Sequence, residues 1–189
     1  MLLLLVVLLL IAILSCPYWW AAILKCGMLR RLTRLARSSG YRVRKRNPWI
    51  AFSRNRSSSY DLLIGKAGKI YAVKLWSAYH RRRTLLLRET GKISERWESY
   101  PPLRVRKKEA PRVMESRPRP APRTKLPASL KKKAGVERLL LIYPSYSEIR
   151  ILREGKETRL FGGDVIFGKR ITSPTALSAL LTAEENHTD

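Results

Sequence analysis

The chain opens with a long segment that carries no charge. Residues 1–24 contain neither acidic nor basic side chains and consist mainly of leucine, isoleucine, valine and alanine. As one helix, such a segment rises about 36 Å, which exceeds the roughly 30 Å of a bilayer's hydrocarbon core. The pattern therefore predicts one transmembrane helix over residues 1–24, in which Pro17 is tolerated. Tyr18, Trp19 and Trp20 are expected at the level of the lipid headgroups.

A basic segment with helical periodicity follows. Leu29, Leu32, Leu35 and Ala36 fall on one side of a helix, and arginines occupy the other side. This pattern is typical of a helix that lies at a membrane surface, so residues 25–40 are predicted to form a basic juxtamembrane amphipathic helix. The side chains expected to bind nucleic acid or lipid there are Arg30, Arg31, Arg34 and Arg37.

Alternating and β-branched residues indicate strands in much of the remaining chain. Residues 69–76, for example, combine β-branched and aromatic side chains after a glycine-bounded turn, which is typical of a hairpin strand. The predicted strands cover residues 41–46, 60–64, 69–76, 84–88, 93–97, 137–143, 148–153, 158–161 and 164–167.

Two helix boundaries are also marked by their residue types. Gly40 is suited to the left-handed conformation that ends a helix. Ser173 is a favourable N-cap and Pro174 suits the first helical position, so a helix is predicted from there to about Ala183.

The segment between residues 101 and 135 shows neither the apolar spacing of a helix nor the alternation of a strand. It holds seven prolines, twelve basic residues and two acidic ones, with few apolar positions. Such a composition buries too little apolar surface to offset the entropy of ordering the chain. We predict a disordered linker, acting either as a solvated spacer or as a basic arm that binds nucleic acid.

These elements predict an α+β protein. An N-terminal transmembrane helix precedes a small mixed β-sheet domain with flanking helices and a disordered basic insertion. The predicted parts are an anchor at 1–24, the amphipathic helix at 25–40, the first part of the β-rich domain at 41–100, the linker at 101–135, the second part at 136–183 and an acidic tail at 184–189.

The charge of the chain points to anionic partners. The 189 residues include 39 Lys or Arg and 14 Asp or Glu, for a net charge of +25. Nucleic acid and anionic phospholipid headgroups are both suitable partners, because each presents many phosphates. A second basic group consists of Arg81, Arg82 and Arg83. The aromatic side chains near it in the sequence, Trp76, Tyr79 and Trp97, could either stack on nucleic-acid bases or belong to the core.

The same charge fixes an expected orientation in the membrane. Residues 25–60 carry eleven Lys or Arg and no acidic residue. Positive charge next to a transmembrane helix holds that side in the cytoplasm. We therefore expect a single-pass protein of the cell membrane with its N-terminus outside and its C-terminal domain in the cytoplasm.

Two other interpretations of the N-terminus stay open. A cleaved signal peptide would have a basic start and a shorter apolar run, and this segment has neither. The residues before Cys16 resemble a bacterial lipoprotein signal, although the first residues carry no charge. Cys16 and Cys26, the only cysteines, are expected to be unpaired thiols.

One hairpin carries side chains that suggest chemistry. A four-residue turn over residues 65–68 would place Asp61 opposite Ala72. Because strand side chains alternate between faces, Asp61, Ala72 and Lys74 would then share one face. The simplest interpretation of Asp61 and Lys74 is a cross-strand charge pair that contributes about 0.2–1 kcal/mol.

The hairpin resembles the PD-(D/E)XK nuclease fold, and in particular the nuclease-related (NERD) domain and similar restriction-endonuclease-like modules. The residues that carry the resemblance are 60–64 and 70–74, and more loosely 139–181. The resemblance implies that Asp61 would help to hold a divalent metal ion and that Lys74 would stabilise developing charge. The family's second acidic ligand, two residues before the lysine, is replaced here by Ala72.

This departure favours binding over catalysis. We expect a membrane protein whose nuclease-like domain binds nucleic acid or an unidentified protein partner, without a cofactor and without cutting. One alternative is an active nuclease that uses Mg²⁺ or Mn²⁺, with Asp61 and a migrated carboxylate from Glu89, Glu95 or Glu98. Another is a non-enzymatic protein that docks on anionic lipid through its basic flank.

Overall fold

A computed structural model shows an α+β protein with mixed sheets. The structure describes residues 1–15, 17–45, 49–52, 59–66, 68–80, 82–99, 111–121, 125–131 and 135–183. The described residues divide into two compact units. Unit 1 comprises Met1–Tyr79, Pro122–Pro144 and Gly162–Asp189, and unit 2 comprises His80–Ala121 and Ser145–Phe161.

The elements follow one another in the order predicted, with additions. In chain order they are α1 (Leu2–Ser15), α2 (Pro17–Ser38), β1 (Arg42–Lys45), β2 (Leu62–Lys66), β3 (Lys69–Trp76), β4 (Thr84–Arg88), β5 (Lys92–Ser99), β6 (Arg112–Glu115), β7 (Arg119–Pro120), α3 (Ala128–Lys131), β8 (Val136–Ile142), β9 (Glu148–Arg153), β10 (Lys156–Arg159), β11 (Val165–Ile166), β12 (Lys169–Thr172) and α4 (Pro174–Ala183).

Unit 1 is built on a mixed six-stranded sheet. Its strand order is β1-β2-β3-β8-β12-β11. The pairs β1–β2, β2–β3 and β11–β12 are antiparallel, whereas β8 runs parallel to both β3 and β12. Strand β12 was not predicted, because its four residues lack a clear alternation of apolar and polar side chains.

The apolar face of α2 packs against this sheet. Met28, Leu29, Leu32 and Ala36 are buried in one cluster with apolar side chains of β2, β3, β8 and α4. The prediction that this face lies on a membrane surface is therefore wrong. A helix stripe buries itself against whichever apolar surface is available, and the fold supplies the sheet.

The uncharged N-terminal segment is two helices and not one. Helix α1 ends at Ser15 and α2 begins at Pro17, and the two helices are bent by 73°. Among the described residues, neither helix by itself is long and apolar enough to cross a membrane, and only the bent pair together meets that requirement. Proline lacks a backbone N–H and clashes with the preceding turn, so it begins the second helix and does not lie within the first.

Both predicted helix boundaries are confirmed. Gly40 has φ +76° and donates from its N–H to the carbonyl of Arg37, while the N–H of Tyr41 donates to Ala36. This pair of hydrogen bonds is the Schellman motif. At the start of α4, the Ser173 hydroxyl accepts a hydrogen bond from the N–H of Ala176.

The hairpin that carries Asp61 has a different register from the one predicted. Lys66 pairs with Lys69, so two residues and not four connect β2 to β3. Two-residue connections are the commonest in hairpins, because their twist matches that of the strands. The shift moves Asp61 opposite Lys74 and leaves Leu63 opposite Ala72. Since the shift is two residues, the side chains that share a face remain the same.

Unit 2 is a second sheet, of strand order β10-β9-β4-β5-β6, with β7 also paired to β5. Its hairpins β4–β5 and β9–β10 confirm two predictions. The prediction of a disordered segment is wrong for residues 111–121 and 125–131, which contain β6, β7 and α3. Exposed strand β6 is held by backbone pairing to β5 and by Glu115, which contacts Arg88 and Arg96.

Several predictions fall on residues outside the described ranges. These are the linker residues 101–110, 122–124 and 132–134, the tail at 184–189, Cys16, Arg46 and Arg81.

Candidate functional site

Asp61 and Lys74 form a buried ion pair. Lys74 Nζ lies 3.0 Å from Asp61 Oδ2, and the two side chains are 2% and 5% exposed, respectively. The same carboxylate oxygen accepts a 2.9 Å hydrogen bond from the N–H of Leu75. Lys74 Nζ also donates to the carbonyl of Ser59, at 3.1 Å. The two side chains that the sequence predicted to share a face are in contact, and they are closer than the predicted register would place them.

The position at which the nuclease family has its second acidic ligand lies among apolar side chains. Ala72 is fully buried in a small cluster with Tyr60 and Leu126. Leu63, which is opposite Ala72 in the register, packs against the same cluster. Ala72 is thus part of a packed layer on the face that also carries Asp61 and Lys74.

Two further lysines are buried in unit 1, and sequence reasoning missed both. Burial lowers the pKa of Lys25 to about 8, with Asp61 acting in the opposite direction and Lys74 reinforcing the decrease. Burial also lowers the pKa of Lys169, with Arg138 and Lys74 contributing. The one sequence signal for Lys25 was its position as the first charge after the apolar run, and it suggested a membrane flank.

The carboxylate of Asp61 is more costly to ionise than that of an exposed aspartate. Burial raises its pKa, while Lys74, the N–H of Leu75 and Lys25 lower it. The 3.0 Å contact with Lys74 and the hydrogen bond from Leu75 stabilise the ionised form. We therefore describe Asp61 and Lys74 as a charged pair.

This arrangement does not supply a set of metal ligands. The described residues contain no group of three or more His, Cys, Asp or Glu side chains suited to a metal ion. Of the three carboxylates considered as migrated ligands, Glu89 and Glu98 are exposed residues of unit 2. Glu95 is engaged by Arg83 at 2.6 Å and by the hydroxyl of Tyr146 at 3.2 Å.

The arginines of α2 have further exposed cations close by, on strand β1. Lys45 shares the sheet face of Val43, on which α2 packs, whereas Arg42 and Arg44 alternate to the other face. All four predicted side chains are exposed, and β1, which α2 contacts, adds three more exposed cations. Within the described part of the chain, these seven side chains form no ion pair. We call them the basic surface; its members are Arg30, Arg31, Arg34, Arg37, Arg42, Arg44 and Lys45.

Of the second predicted basic group, the structure describes Arg82 and Arg83. Arg82 is exposed, whereas Arg83 pairs with Glu95 and lies 4.5 Å from the ring centroid of Trp97. Trp76 is buried in unit 1, and the Tyr79 ring lies 5.5 Å from Lys25 Nζ. Arg83 is therefore occupied by partners within unit 2, which leaves it less suited to a phosphate.

Comparisons with protein-family models, with curated proteins and with solved structures found no match for this chain. The resemblance to restriction-endonuclease-like modules therefore stays a hypothesis that rests on the hairpin residues.

Proposed function

We propose that this protein is a membrane-anchored, non-catalytic nucleic-acid-binding protein whose C-terminal domain faces the cytoplasm. The single observation that carries the binding role is the basic surface. Seven exposed cations lie on one helix and the edge strand that it contacts, in a stretch of sequence without acidic residues. Rows of Lys and Arg of this kind attract a phosphate backbone and release its condensed counterions.

The ion pair of Asp61 supports the absence of catalysis. A metal-dependent nuclease needs carboxylate oxygens that are free to bind the ion. Here one oxygen of Asp61 already contacts Lys74 and the N–H of Leu75, and Ala72 offers no ligand. The alternative of an active nuclease would require cleavage that depends on Mg²⁺ or Mn²⁺ and that Asp61→Asn abolishes.

Helix α1 supports the membrane anchor. Its side chains from Leu2 to Leu14 are exposed, and they are apolar on every side of the helix. Helices that are hydrophobic all round are buried in an apolar environment, and a bilayer supplies one. A full crossing would use α1 together with the start of α2, because α1 by itself is too short to span a bilayer. Eleven Lys or Arg after the apolar segment support the cytoplasmic placement of the domain.

The test compares two variants that lose the same charge. In one, Arg30, Arg31, Arg34 and Arg37 become Gln; in the matched control, the exposed unit 2 residues Arg117, Arg119, Arg153 and Lys156 become Gln. The full chain is placed in nanodiscs of zwitterionic lipid, and its affinity for a fluorescent oligonucleotide is measured against salt.

We expect a steep loss of affinity with salt for the wild type. The slope of log affinity against log salt should flatten by about one for each lost phosphate contact in the first variant and stay unchanged in the control. Equal slopes in the two variants would show that the basic surface is not the binding site. An absence of oligonucleotide binding at low salt would overturn the proposal.

A second candidate function is docking on anionic lipid. The observation that favours it is that α2 directly follows the exposed apolar helix α1, so its arginines start close to any membrane that α1 enters. Each Lys or Arg near an anionic leaflet contributes about 1 kcal/mol. Vesicle binding that requires anionic lipid, combined with no oligonucleotide binding, would favour this second function.

A further inference from the structure

A row of aromatic rings joins the first turn of α2 to residues 49–52. The Tyr18 and Trp19 ring centroids lie 6.1 Å apart, Trp19 and Phe52 lie 5.8 Å apart, and Phe52 and Trp49 lie 6.1 Å apart. Trp20 adjoins the row on α2. We call this group the aromatic collar; its members are Tyr18, Trp19, Trp20, Trp49 and Phe52.

The collar joins two distant parts of the sequence. Ile50 and Ala51 are buried in the core of unit 1, which fixes residues 49–52 beside α2. The Tyr18 hydroxyl donates a hydrogen bond to the carbonyl of Phe52, and the N–H of Phe52 donates to Trp49 at 2.9 Å. Trp49 is thereby held in a defined place with its ring turned outward.

The collar is exposed to an unusual degree for such large rings. Trp49 is 70% exposed, Trp20 48% and Trp19 39%, and the neighbouring Ile23 is 48% exposed. Trp19, Trp20 and Ile23 follow the exposed apolar helix α1 in the sequence, and residues 1–24 and 49–52 carry no charge. Contiguous apolar surface of this kind marks a contact with another apolar phase or molecule.

We propose that the aromatic collar is a second membrane contact, which seats unit 1 at the boundary between headgroups and acyl chains. Trp and Tyr are enriched at this depth because one part of the ring is apolar and another part is a hydrogen-bond donor. The bilayer is the fitting occupant because the collar residues at the start of α2 follow, in the sequence, the apolar helix proposed as the anchor. This inference rests on the anchor in the proposed function, and it adds that Trp49, far along the chain, enters the interface too.

The experiment measures which tryptophans lie in the bilayer. The full chain is reconstituted in vesicles whose phosphatidylcholine is brominated either high or low on the acyl chain, and bromine quenching of tryptophan fluorescence is recorded. Trp49→Phe is compared with the matched variant Trp97→Phe, since the Trp97 ring is covered by Arg83, which lies 4.5 Å from its centroid. Flotation after a high-salt wash reports separately whether α1 holds the chain in the vesicles.

Three of the five tryptophans belong to the collar. Trp49→Phe should therefore lower the quenchable fluorescence by roughly a third, with the larger effect from bromine placed high on the chain, and Trp97→Phe should leave it unchanged. If the chain floats and Trp49→Phe is quenched as much as the wild type, the collar is not a membrane contact although the anchor stands. If the chain does not float, the anchor itself is wrong. A third outcome would also overturn the inference: Trp49 is not quenched, and cross-links form between the collars of two chains. The surface would then be a contact between two copies of the protein.

Discussion

At the scale of single residues, the most constrained feature of the protein is the ion pair between Asp61 and Lys74. Both side chains are almost fully removed from water, and each has a further hydrogen bond to the backbone. Burying two charges costs several kcal/mol, which only close mutual contact offsets. The pair therefore matters less for the net stability of the fold than for what happens when one partner is lost.

We predict that Asp61→Asn destabilises the protein by about 3–5 kcal/mol, because Lys74 is left as a buried charge without its carboxylate. Lys74→Met should destabilise the protein for the same reason, because Asp61 is then a buried charge without its lysine. The double variant should lose less stability than the sum of the losses in the two single variants. Denaturant unfolding of the four proteins measures this coupling. The control is Glu137→Gln, which breaks the half-exposed pair with Arg170 and should cost no more than about 1 kcal/mol. Additive losses at Asp61 and Lys74 would contradict the pairing.

Lys25 gives a prediction for the dependence of stability on pH. Its pKa is lowered from 10.5 to about 8 in the folded protein, with burial as the largest cause. Between these values the unfolded chain binds more protons at this position than the folded one, so the stability of the fold rises with pH.

The free energy of unfolding of the wild type should therefore increase relative to that of Lys25→Met as the pH rises from about 8 to 10.5. Below this window the difference between the two proteins should be constant, because Lys25 is then protonated in both states. Unfolding in urea at a series of pH values tests the prediction, and the variant cancels the titration of the other lysines. A difference that does not change across the window would show that Lys25 is not buried as described.

At the scale of elements, α2 is specified by its ends and by one face. Its C-terminus uses a glycine at positive φ, and its apolar stripe packs on the sheet. One glycine inside this helix and one just beyond its end have opposite requirements. Gly40 lies at φ +76°, whereas Gly27 lies inside the helix with no atom within 4 Å of an added Cβ.

We predict opposite effects for the same substitution at these two positions. Gly40→Ala should destabilise the fold by about 1 kcal/mol, because a Cβ is unfavourable in the left-handed conformation. Gly27→Ala should stabilise it by about 0.5–1 kcal/mol, because alanine is the better helix former. Thermal unfolding of the two variants provides the test. Stabilisation by Gly40→Ala would mean that α2 does not end in the Schellman motif.

At the scale of the whole molecule, charge and apolar surface are segregated along the chain. The uncharged residues 1–24 precede a protein with a net charge of +25. The two units are also interleaved in sequence, since unit 2 is formed by residues 80–121 and 145–161 and unit 1 by the segments around them. With the anchor and orientation proposed above, a partner of the basic surface would have to be cytoplasmic.

The orientation leads to a prediction about the cell. A reporter fused after Asp189 that is active only in the cytoplasm should be active, because the positive charge next to the apolar segment holds this side inside. A matched reporter that is active only after export should be silent at the same position. Activity of the exported reporter would contradict the orientation and would exclude an intracellular nucleic acid as the partner.

The sequence by itself determined the features that depend on neighbouring residues. The sequence predicted most strands, the cap of α4 and the glycine that ends α2. Strand alternation, N-caps and positive φ each depend on a few adjacent residues. The pairing of Asp61 with Lys74 on one face was also readable, since a change of register by two residues preserves the face.

Only the tertiary structure decided which surface each apolar face covers and which charges become buried. The spacing of apolar residues in α2 is compatible with packing on a membrane or on a sheet, because the hydrophobic effect does not specify which apolar surface is covered. The folded protein supplies the sheet, and α2 packs on it. Strand β6 has four exposed residues, and backbone pairing with a distant strand orders it without any apolar pattern. Lys25 is charged and follows the apolar segment, yet it is buried in the fold, and this burial, together with the charges of Asp61 and Lys74 far along the chain, changes its pKa. These outcomes depend on residues that are remote in sequence, which is why local patterns did not contain them.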